Sequence, residues 1–287
     1  MIKNKIIIGT ANVNNDYGLI NNKINTNEFK KLLNFAKLKG IKIIDTSPKY
    51  SNSEKIIGSV LKKFKIITKV TNIPLKIKNR EIKNWIMNKF TQSSKNLKIS
   101  KVHGILLQNA EILLSKNSEV VYKTLLNLKK KKKLKKIGIS IYNFKTLEKI
   151  INKYQIDFIQ VPFNIFDRRI ENEKLIKKIK KKGIEVHARS IFLQGLLIKK
   201  KLRIPKKFLV LQKSLKSWQK WLEKNNISAL NACLNFVLRN KNIDKVVIGL
   251  NNLQNLKQVI NYKKSNINFK KFNMNVDSKY LDPRKWN

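Results

Sequence analysis

Short runs of aliphatic residues alternate with longer amphipathic segments from one end of the chain to the other. The short runs have the length and β-branched composition of buried strands, and the longer segments repeat apolar residues every three or four positions, as one face of a helix requires. Gly40 and Gly183 each stand between a helical segment and a strand, where a helix end favours a left-handed residue. The pattern predicts eight strands, at residues 5–10, 41–46, 65–70, 102–108, 136–140, 158–163, 184–190 and 246–250.

The segments between the strands predict helices. Eight strand–helix repeats in a chain of 287 residues indicate a closed (β/α)8 barrel. No linker, low-complexity segment or composition break interrupts the repeats, so we expect one domain over residues 1–287, with 264–287 as a C-terminal tail. The predicted helices cover residues 26–39, 53–62, 82–96, 118–130, 144–153, 170–181, 206–222 and 228–239.

Strands two to seven each end in a polar residue on the face predicted to point into the barrel. Catalytic groups of such barrels lie at the carboxyl ends of the strands, and side chains alternate between the two faces. One polar residue there is explained by a hydrogen bond at the barrel rim, but several together are costly to bury without partners or a ligand. We therefore expect a ligand pocket at this mouth, lined by Asp45, Lys69, Gln108, Ser140, Gln160 and Arg189.

Composition adds a large positive charge, with 64 Lys and Arg against 17 Asp and Glu, or +47. Such a charge suits a nucleic-acid binder, because each neutralised phosphate releases counterions. Only seven of the basic residues are Arg, the side chain that recognises phosphates and guanine edges bidentately. The lysines are spread along the chain, with one dense block at residues 129–136. We interpret the charge as a solvated surface and predict no specific nucleic-acid partner, keeping nucleic-acid binding as a rival hypothesis.

Few residues can form cross-links or bind metals. Cys233 is the only cysteine, and two histidines with one thiol do not make a standard zinc site, so we predict no disulfide and no metal. The first apolar run is too short for a signal peptide, and no later one approaches the ~20 residues of a membrane span. We expect a cytoplasmic protein without a membrane partner, and we make no prediction of its oligomeric state.

The segment after the second strand contains Gly40-Ile-Lys-Ile-Ile-Asp45-Thr-Ser-Pro-Lys-Tyr50, followed by Ser53-Glu54 and Gly58. It resembles the aldo-keto reductase superfamily, whose members carry Asp-Thr-Ala, Tyr-Gly, Ser-Glu and Gly in this order. The resemblance extends over nearly the whole chain, and the combined pattern is specific although no single piece is. Further matching pieces are Ile66-Ile-Thr-Lys69, Ile137-Gly-Ile-Ser140, Gln160-Val-Pro-Phe-Asn164, Arg189-Ser-Ile-Phe-Leu-Gln-Gly195 and Val247-Ile-Gly249.

The resemblance implies hydride transfer between a nicotinamide cofactor and the carbonyl of a small molecule, with Tyr50 as the general acid. A free phenol has a pKa of ~10, and a nearby ammonium brings such a pKa closer to neutrality. Carried over by position, Lys69 supplies that ammonium and Asp45 pairs with it. Gln108 stands where relatives usually carry His, and its amide donates a hydrogen bond but relays no proton. A nicotinamide-binding protein with little or altered turnover is therefore the alternative function.

The two histidines are not expected to replace that residue. His103 lies on the outward face of its strand by parity, so we expect it to pack against a helix. His187 is predicted to point inward two residues below Arg189, as a core histidine.

The resemblance also implies where the cofactor lies. It places Ser140 and Gln160 on the nicotinamide carboxamide and Arg189 over the ring face. Small residues let the backbone approach the pyrophosphate. The resemblance implies that the loop after the seventh strand and the turn after the eighth wrap the pyrophosphate. The residues it assigns there are Ser190, Leu193, Gly195 and Gly249.

The adenine end bears on the choice of cofactor. Gly249, Asn255 and Gln258 stand where many relatives place Lys, Arg and Glu, and Lys257 is the nearby cation that could replace them. The resemblance favours NADP(H) over NAD(H). Substrate loops at residues 12–25, 109–117 and 264–287 are rich in Asn, which suits a hydroxylated, sugar-type carbonyl better than a steroid or a lipid aldehyde.

Overall fold

Eight parallel strands close into a barrel in which each strand pairs with its neighbour in sequence and the eighth pairs with the first. The computed structural model describes residues 2–15, 23–60, 64–71, 73–74, 77–199, 206–269, 272, 276–277 and 280–282. The predicted (β/α)8 barrel is confirmed. The strands are β1 (Ile6–Gly9), β2 (Ile43–Asp45), β3 (Lys65–Val70), β4 (Val102–Leu107), β5 (Leu134–Ser140), β6 (Phe158–Pro162), β7 (Glu185–Arg189) and β8 (Lys245–Gly249).

Within the described ranges, nine α-helices surround the strands. Most lie where the apolar periodicity predicts them, but the last was not predicted, although Asn252 caps it by accepting a hydrogen bond from the amide of Asn255. The helices are α1 (Thr26–Leu38), α2 (Ser53–Val60), α3 (Asn79–Leu97), α4 (Ser118–Lys130), α5 (Phe144–Lys153), α6 (Glu173–Lys181), α7 (Gln212–Lys224), α8 (Ala229–Leu238) and α9 (Leu253–Ile260).

Two predicted helices begin too early. The helix expected at residues 170–181 starts at Glu173, because Asn172 caps α6 by accepting from the amide of Leu175 at 3.0 Å. The one expected at 206–222 is a 3₁₀ turn (Lys206–Leu211) followed by α7. The expected end of α2 at residues 61–62 lies outside the described residues. These differences concern caps and turns, where apolar periodicity carries little information.

The barrel interior is filled by a small apolar layer that is separate from the larger core between strands and helices. Ile43, Ile67, Leu106 and Phe158 belong to it, as the alternation along the strands predicts. Gly138 is needed at this level, since a Cβ there would lie 2.2 Å from the Phe158 ring. These side chains fill the middle of the barrel, so a ligand can bind only at one of its two ends.

The two glycines expected at helix ends have the predicted backbone. Gly40 and Gly183 have φ of 78° and 67°, the left-handed region in which side chains are strained. Within the described ranges, no helix combines the length and apolarity needed to cross a membrane.

Candidate active site

A cavity of about 170 Å³ opens at the carboxyl end of the barrel, where the sequence predicts a ligand pocket. Its wall comes from the ends of β1, β2, β6, β7 and β8 and from the loops that follow them. The lining residues that sequence analysis singled out are Asp45, Tyr50, Gln160, Arg189, Ser190, Gly195 and Gly249.

A buried carboxylate organises the floor of this cavity. Asp45 ends β2, and its Oδ1 accepts a hydrogen bond from the Lys69 ammonium while its Oδ2 accepts one from Gln160 Nε2 at 2.6 Å. Lys69 also donates to the carbonyl of Thr46 at 3.0 Å. The side chains of Lys69 and Asp45 are 6% and 5% exposed, so the pair is stabilised by its own contacts rather than by water.

Tyr50 lies against this pair. Lys69 Nζ is 4.9 Å from the centroid of the Tyr50 ring, and both Asp45 and Tyr50 line the cavity. Burial by itself would lower the pKa of Lys69, but the charge of Asp45 and the neighbouring phenol offset it and raise that pKa above its usual value. Lys69 is therefore a permanent cation beside the phenol.

The loop that carries Tyr50 is fixed by short polar contacts. The Tyr50 amide donates to the Ser47 carbonyl at 3.0 Å, and the Ser53 amide donates to the Tyr50 carbonyl at 2.9 Å. The hydroxyls of Thr46 and Ser53 lie 3.1 Å apart, so the two ends of the loop are joined. The phenol thus sits on a short turn between β2 and α2 rather than on a free loop.

The helix after this loop is anchored by the Ser-Glu and Gly positions of the matched motif. Glu54 is buried and accepts a hydrogen bond from Thr68 Oγ1 at 2.7 Å on β3. Asn96 Nδ2 donates to the other carboxylate oxygen at 3.3 Å. A Cβ at Gly58 would lie 2.2 Å from the Asn96 carbonyl oxygen, so only glycine permits this approach of α2 to α3.

Ser140 and Gln108 occupy strand ends beside the cavity without lining it. Ser140 ends β5 opposite Gln160 in the strand register and is half-buried. Gln108 follows β4, where its backbone amide donates to the Val70 carbonyl at 3.0 Å and its side chain is exposed. The structure therefore brings Asp45, Tyr50 and Lys69 together and leaves Gln108 at the rim.

The loop after β7 forms one side of the cavity in an unusual backbone conformation. Ser190, Leu193, Gln194 and Gly195 all have positive φ, at 56°, 46°, 53° and 97°. Leu193 is fully buried and anchors the loop, so its side chain does not line the cavity. Ser190 and Gly195 do line it. Asn164, to which sequence analysis gave no role, fixes the loop by donating to the Ser190 carbonyl at 2.9 Å.

Arg189 precedes this loop and points along the cavity wall. Its Cζ lies 3.9 Å from the centroid of the Tyr142 ring, a cation–π contact. It donates to the Ile141 carbonyl at 3.3 Å and to Ser190 Oγ at 3.4 Å. These contacts hold the guanidinium against the loop that follows β5.

The wall formed by the ends of β8 and β1 combines an open glycine with amide side chains. A Cβ at Gly249 would meet no atom within 4 Å, so this position faces open space. Asn12, which begins the predicted substrate loop but had no role of its own in the prediction, donates to the Leu250 carbonyl at 2.9 Å and to Asn251 Oδ1 at 3.0 Å. Its own buried Oδ1 has no hydrogen-bond partner among the described residues. Asn is too frequent in this chain for any one of them to stand out by sequence.

Asn255, Lys257 and Gln258, predicted for the adenine end, lie together on α9 outside this cavity, whereas Gly249, predicted for the same end, closes β8 and lines the cavity. Asn255 Nδ2 donates to Gln258 Oε1 at 3.4 Å, and Asn255 Oδ1 accepts from the Asn251 amide at 3.4 Å. Lys257 is exposed, with its Nζ 5.8 Å from the centroid of the Phe35 ring. Asn251 lines the cavity, so α9 begins directly beside it.

The two histidines lie away from the cavity. His187 points inward below it, stacks on Phe158 with ring centroids 4.7 Å apart, and has its Nε2 3.2 Å from Glu185 Oε2. Burial lowers its pKa and favours the neutral ring. The prediction of a core histidine is confirmed. His103 lies in a surface groove with Phe64 and several lysines, and burial followed by the charge of Lys136 lowers its pKa to about 4.

A nicotinamide cofactor, which the resemblance implies, fits this cavity. The open space at Gly249 leaves room for a ligand, and the orphan Oδ1 of Asn12 is an acceptor that a ligand donor would satisfy. Gln160 Nε2 donates one of its two hydrogens to Asp45, so Gln160 Oε1 and the second N–H are the groups that could meet a carboxamide.

Comparison with known proteins agrees with this geometry. A model of the aldo/keto reductase family matches residues 5–278. The chain is similar to the structure of the glycerol dehydrogenase AKR11B4 from Gluconobacter oxydans, with a TM-score of 0.70, 20% identity, and coverage of 93% of this chain and 89% of that one. It is also similar to the holo form of the aldo-keto reductase AKR11C1 from Bacillus halodurans, with a TM-score of 0.73, 17% identity, and coverage of 95% and 93%. No curated protein sequence matches the chain.

Proposed function

The chain belongs to the aldo/keto reductase family, whose members are oxidoreductases that use nicotinamide cofactors, and from this premise we propose that it reduces a small sugar-type aldehyde or ketone with NAD(P)H. The observation that carries the proposal is the contact of Tyr50 with the buried Lys69–Asp45 pair at the edge of the cavity. A phenol, a permanent cation and an open cavity at one point are what acid catalysis on a carbonyl needs.

The proposed roles follow from these contacts. When bound, a reduced nicotinamide would supply the hydride for the carbonyl carbon. Tyr50 donates its hydroxyl proton to the carbonyl oxygen, so the product is an alcohol. Lys69 stabilises the phenolate that remains until a solvent proton replaces the one lost. Asp45 fixes Lys69 in place and balances its charge in the barrel.

Further residues position the reactants in the proposal. Gln160 couples Asp45 to the cofactor carboxamide, with Ser140 beside it on β5. The Arg189 guanidinium, which packs on the Tyr142 ring, is proposed to lie over the face of the nicotinamide ring. Gln108 orients the carbonyl from the rim by donating an amide N–H. The proposed cofactor contacts farther along are Ser190, Gly195 and Gly249, with Asn255 and Gln258 toward the adenine, while the buried Leu193 anchors the loop instead of touching the cofactor.

We propose NADP(H) as the preferred cofactor. Lys257, in the last turn of α9, is a cation near the proposed adenine end, and the 2′-phosphate that distinguishes NADP(H) is an anion. A cytoplasmic location belongs to the same proposal.

The test mixes purified protein with NADPH and a panel of aldehydes and ketones, and follows the loss of reduced-cofactor absorbance together with the alcohol formed. We expect cofactor consumption matched one to one by alcohol. Cofactor binding, measured by quenching of tryptophan fluorescence, provides a separate readout. Binding without reduction of any carbonyl would exclude the proposed reaction.

Gln108 supports a second candidate function, a nicotinamide-binding protein with little turnover. Its exposed side chain replaces the usual His and does not line the cavity. The Gln108→His variant separates the two candidates. A rise in turnover from a measurable wild-type rate supports the reductase, whereas bound cofactor with no turnover in either protein supports the binding role.

A further inference from the structure

The groove that contains His103 lies at the amino end of the barrel and has a volume of about 500 Å³. It is formed where β3, β4 and β5 begin, together with the turn after α4. Lys65 opens β3 four residues before Lys69, so about 13 Å of strand separate the groove from the Lys69–Asp45 pair. A small ligand in this groove is therefore distinct from one that meets Tyr50.

Lysines surround the groove without facing acidic side chains. Five lysines line it, and none of the described lining residues is acidic. Lys129 is paired with Asp157 at 2.7 Å. The other four are exposed, and no ion pair joins them to an acid within the described part of the chain. Like charges gathered in one groove attract anions. The four unpaired lysines are Lys65, Lys101, Lys132 and Lys135.

His103 is a polar group in this groove that lacks a partner. Its side chain is half-buried, and its ring nitrogens form no hydrogen bond or ion pair with the described residues. Burial, followed by the charges of Lys136 and Lys65, lowers its pKa to about 4 and keeps the ring neutral. A neutral imidazole presents one N–H donor and one acceptor nitrogen. The edge of a nucleobase offers the matching acceptors and donors.

The floor of the groove is apolar and nearly flat in what it exposes. Ile66, Val102 and Leu134 line it and are 2%, 3% and 2% exposed, and the half-buried Phe64 lines it as well. So little exposed apolar surface suits a flat ring better than a long aliphatic chain. Aromatic side chains stack on any nucleobase, because every base has a π-face. The volume of the groove is within the range of small-ligand sites, ~300–1,000 Å³.

We propose that this groove binds a nucleoside polyphosphate, with its phosphates among the lysines and its base against Phe64 and His103. The four unpaired lysines require a ligand with several negative charges, and lysine binds phosphate as a point charge. None of the described lining residues is an arginine, whose fork would select a planar carboxylate. The unpartnered imidazole and the phenyl ring require a base as well as phosphates. This site is independent of the proposed carbonyl reduction.

The experiment uses the two histidines of the chain as local probes. Imidazole NMR signals are assigned with His103→Asn, and the protein is titrated at physiological ionic strength, without divalent cations, with ATP, inorganic tripolyphosphate and adenosine. We expect ATP to shift the His103 signals to saturation, to raise the pKa of His103 by offsetting the lysine charges, and to leave His187 unchanged. ATP should bind at least about fivefold more tightly than tripolyphosphate because its base stacks, and adenosine should bind more weakly than either.

Variants test the two parts of the groove separately. The double variant Lys101→Gln/Lys135→Gln should weaken ATP binding at His103 about tenfold. Its matched control, Lys213→Gln/Lys220→Gln, removes the same charge from exposed positions of α7 and should change the affinity less than about twofold. Phe64→Leu should reduce the advantage of ATP over tripolyphosphate without changing the affinity for tripolyphosphate.

Three results would overturn the inference and leave the proposed reduction standing. ATP binding that shifts His187 but not His103 would place the nucleotide at the other end of the barrel. Equal affinities for ATP and tripolyphosphate, or equal losses in the two double variants, would show only a general attraction of anions to a basic protein. A single-stranded oligonucleotide that shifts the His103 signals at a lower phosphate concentration than ATP would make nucleic acid the occupant of the groove.

Discussion

Ion pairs lie inside the barrel at both ends, and they differ in what surrounds them. At the carboxyl end, Lys69 and Asp45 are 6% and 5% exposed, and the Lys69 ammonium lies over the Tyr50 ring beside the cavity. Toward the amino end, Lys136 and Glu185 form a pair whose side chains are 22% and 32% exposed and which extends to His187. A charged pair facing into a barrel does not by itself identify an active site.

The two ion pairs differ in the side chain next to each pair, Tyr50 or His187, and in whether a cavity lies beside that side chain. Tyr50 supplies a transferable proton at an open cavity, whereas His187 is packed on Phe158 and held neutral by burial. The inner apolar layer, which includes Ile43 and Ile67 one inward position before Asp45 and Lys69, lies below the Lys69–Asp45 pair. The amino-end pair therefore has a structural role in this account, and the carboxyl-end pair a catalytic one.

The largest predicted effect is on turnover. Lys69→Met removes the cation beside Tyr50 and should lower kcat by about 10²- to 10⁴-fold. Lys136→Met makes the same substitution at the amino-end pair and should change kcat less than about threefold. This corresponds to a change in activation free energy of at most ~0.7 kcal/mol. NADPH consumption with a reactive aldehyde, on variants checked by circular dichroism, measures both. Equal losses in the two variants would remove the functional distinction between the ends.

The same two variants should differ in stability. Lys69→Met leaves Asp45 buried without its counter-ion, which should cost about 3–5 kcal/mol of unfolding free energy. Lys136→Met breaks a partly exposed pair and should cost about 1 kcal/mol or less. Urea unfolding followed by tryptophan fluorescence gives both values. A larger loss in Lys136→Met would show that the amino-end pair is the main buried charge of the barrel.

Two glycines distinguish the packed interior from the open mouth. Gly138→Ala places a Cβ 2.2 Å from the Phe158 ring and should destabilise the protein by about 1–3 kcal/mol. Gly249→Ala meets no atom within 4 Å, so it should leave stability within about 0.5 kcal/mol while weakening NADPH binding if the cofactor fills that space. Thermal unfolding and cofactor titration of both variants measure the contrast. Unchanged NADPH affinity in Gly249→Ala would place the cofactor elsewhere.

Acid should lower the stability of the protein through His103, which lies in the surface groove with Phe64. His103 has its pKa lowered from 6.5 to about 4, so below pH 6.5 the unfolded chain takes up a proton that the folded chain refuses. Stability should fall as the pH drops from 6.5 to 4, by less than the ~1.4 kcal/mol per pH unit of a fully buried group, because His103 is only half-buried. Urea unfolding across this range should show a shallower slope for His103→Asn. An identical slope would contradict the assignment.

The smallest predicted effect is on cofactor choice. Lys257→Gln should reduce the preference for NADPH over NADH by about three- to tenfold, the effect of one exposed charge on a phosphate. Fluorescence titration with each cofactor gives the ratio of dissociation constants. Lys264→Gln, which removes a charge from an exposed position beyond α9, is the control. An unchanged ratio in Lys257→Gln would exclude this lysine as the 2′-phosphate group.

Sequence periodicity predicted the barrel because strand and helix periods alternate along the whole chain. Parity along the strands also predicted the inward positions of Asp45, Lys69 and Gln160, since a two-residue repeat fixes which face each side chain occupies. The same rule would place Lys136 inside, on the face of Gly138. Interpreting the whole 129–136 block as solvated surface was wrong for this residue, which pairs with Glu185 in the barrel.

What the sequence did not predict depends on chain segments meeting in space. Asn12 and Asn164 shape the cavity by bonding to the carbonyls of Leu250 and Ser190, and no local pattern distinguishes them from the many other asparagines. The stacking of Arg189 on Tyr142 joins two loops whose relative position follows only from barrel closure. The short helix α9 had a cap signal at Asn252, but its apolar repeat is brief.

The central claim is that Tyr50 is the proton donor for carbonyl reduction. Single-turnover oxidation of bound NADPH by a reactive aldehyde, compared between the wild type and Tyr50→Phe, tests it most directly, because the substitution removes one hydroxyl and keeps the ring against Lys69. We expect unchanged NADPH affinity and a chemical step at least about 100-fold slower in Tyr50→Phe. A chemical step of wild-type rate in Tyr50→Phe would contradict it.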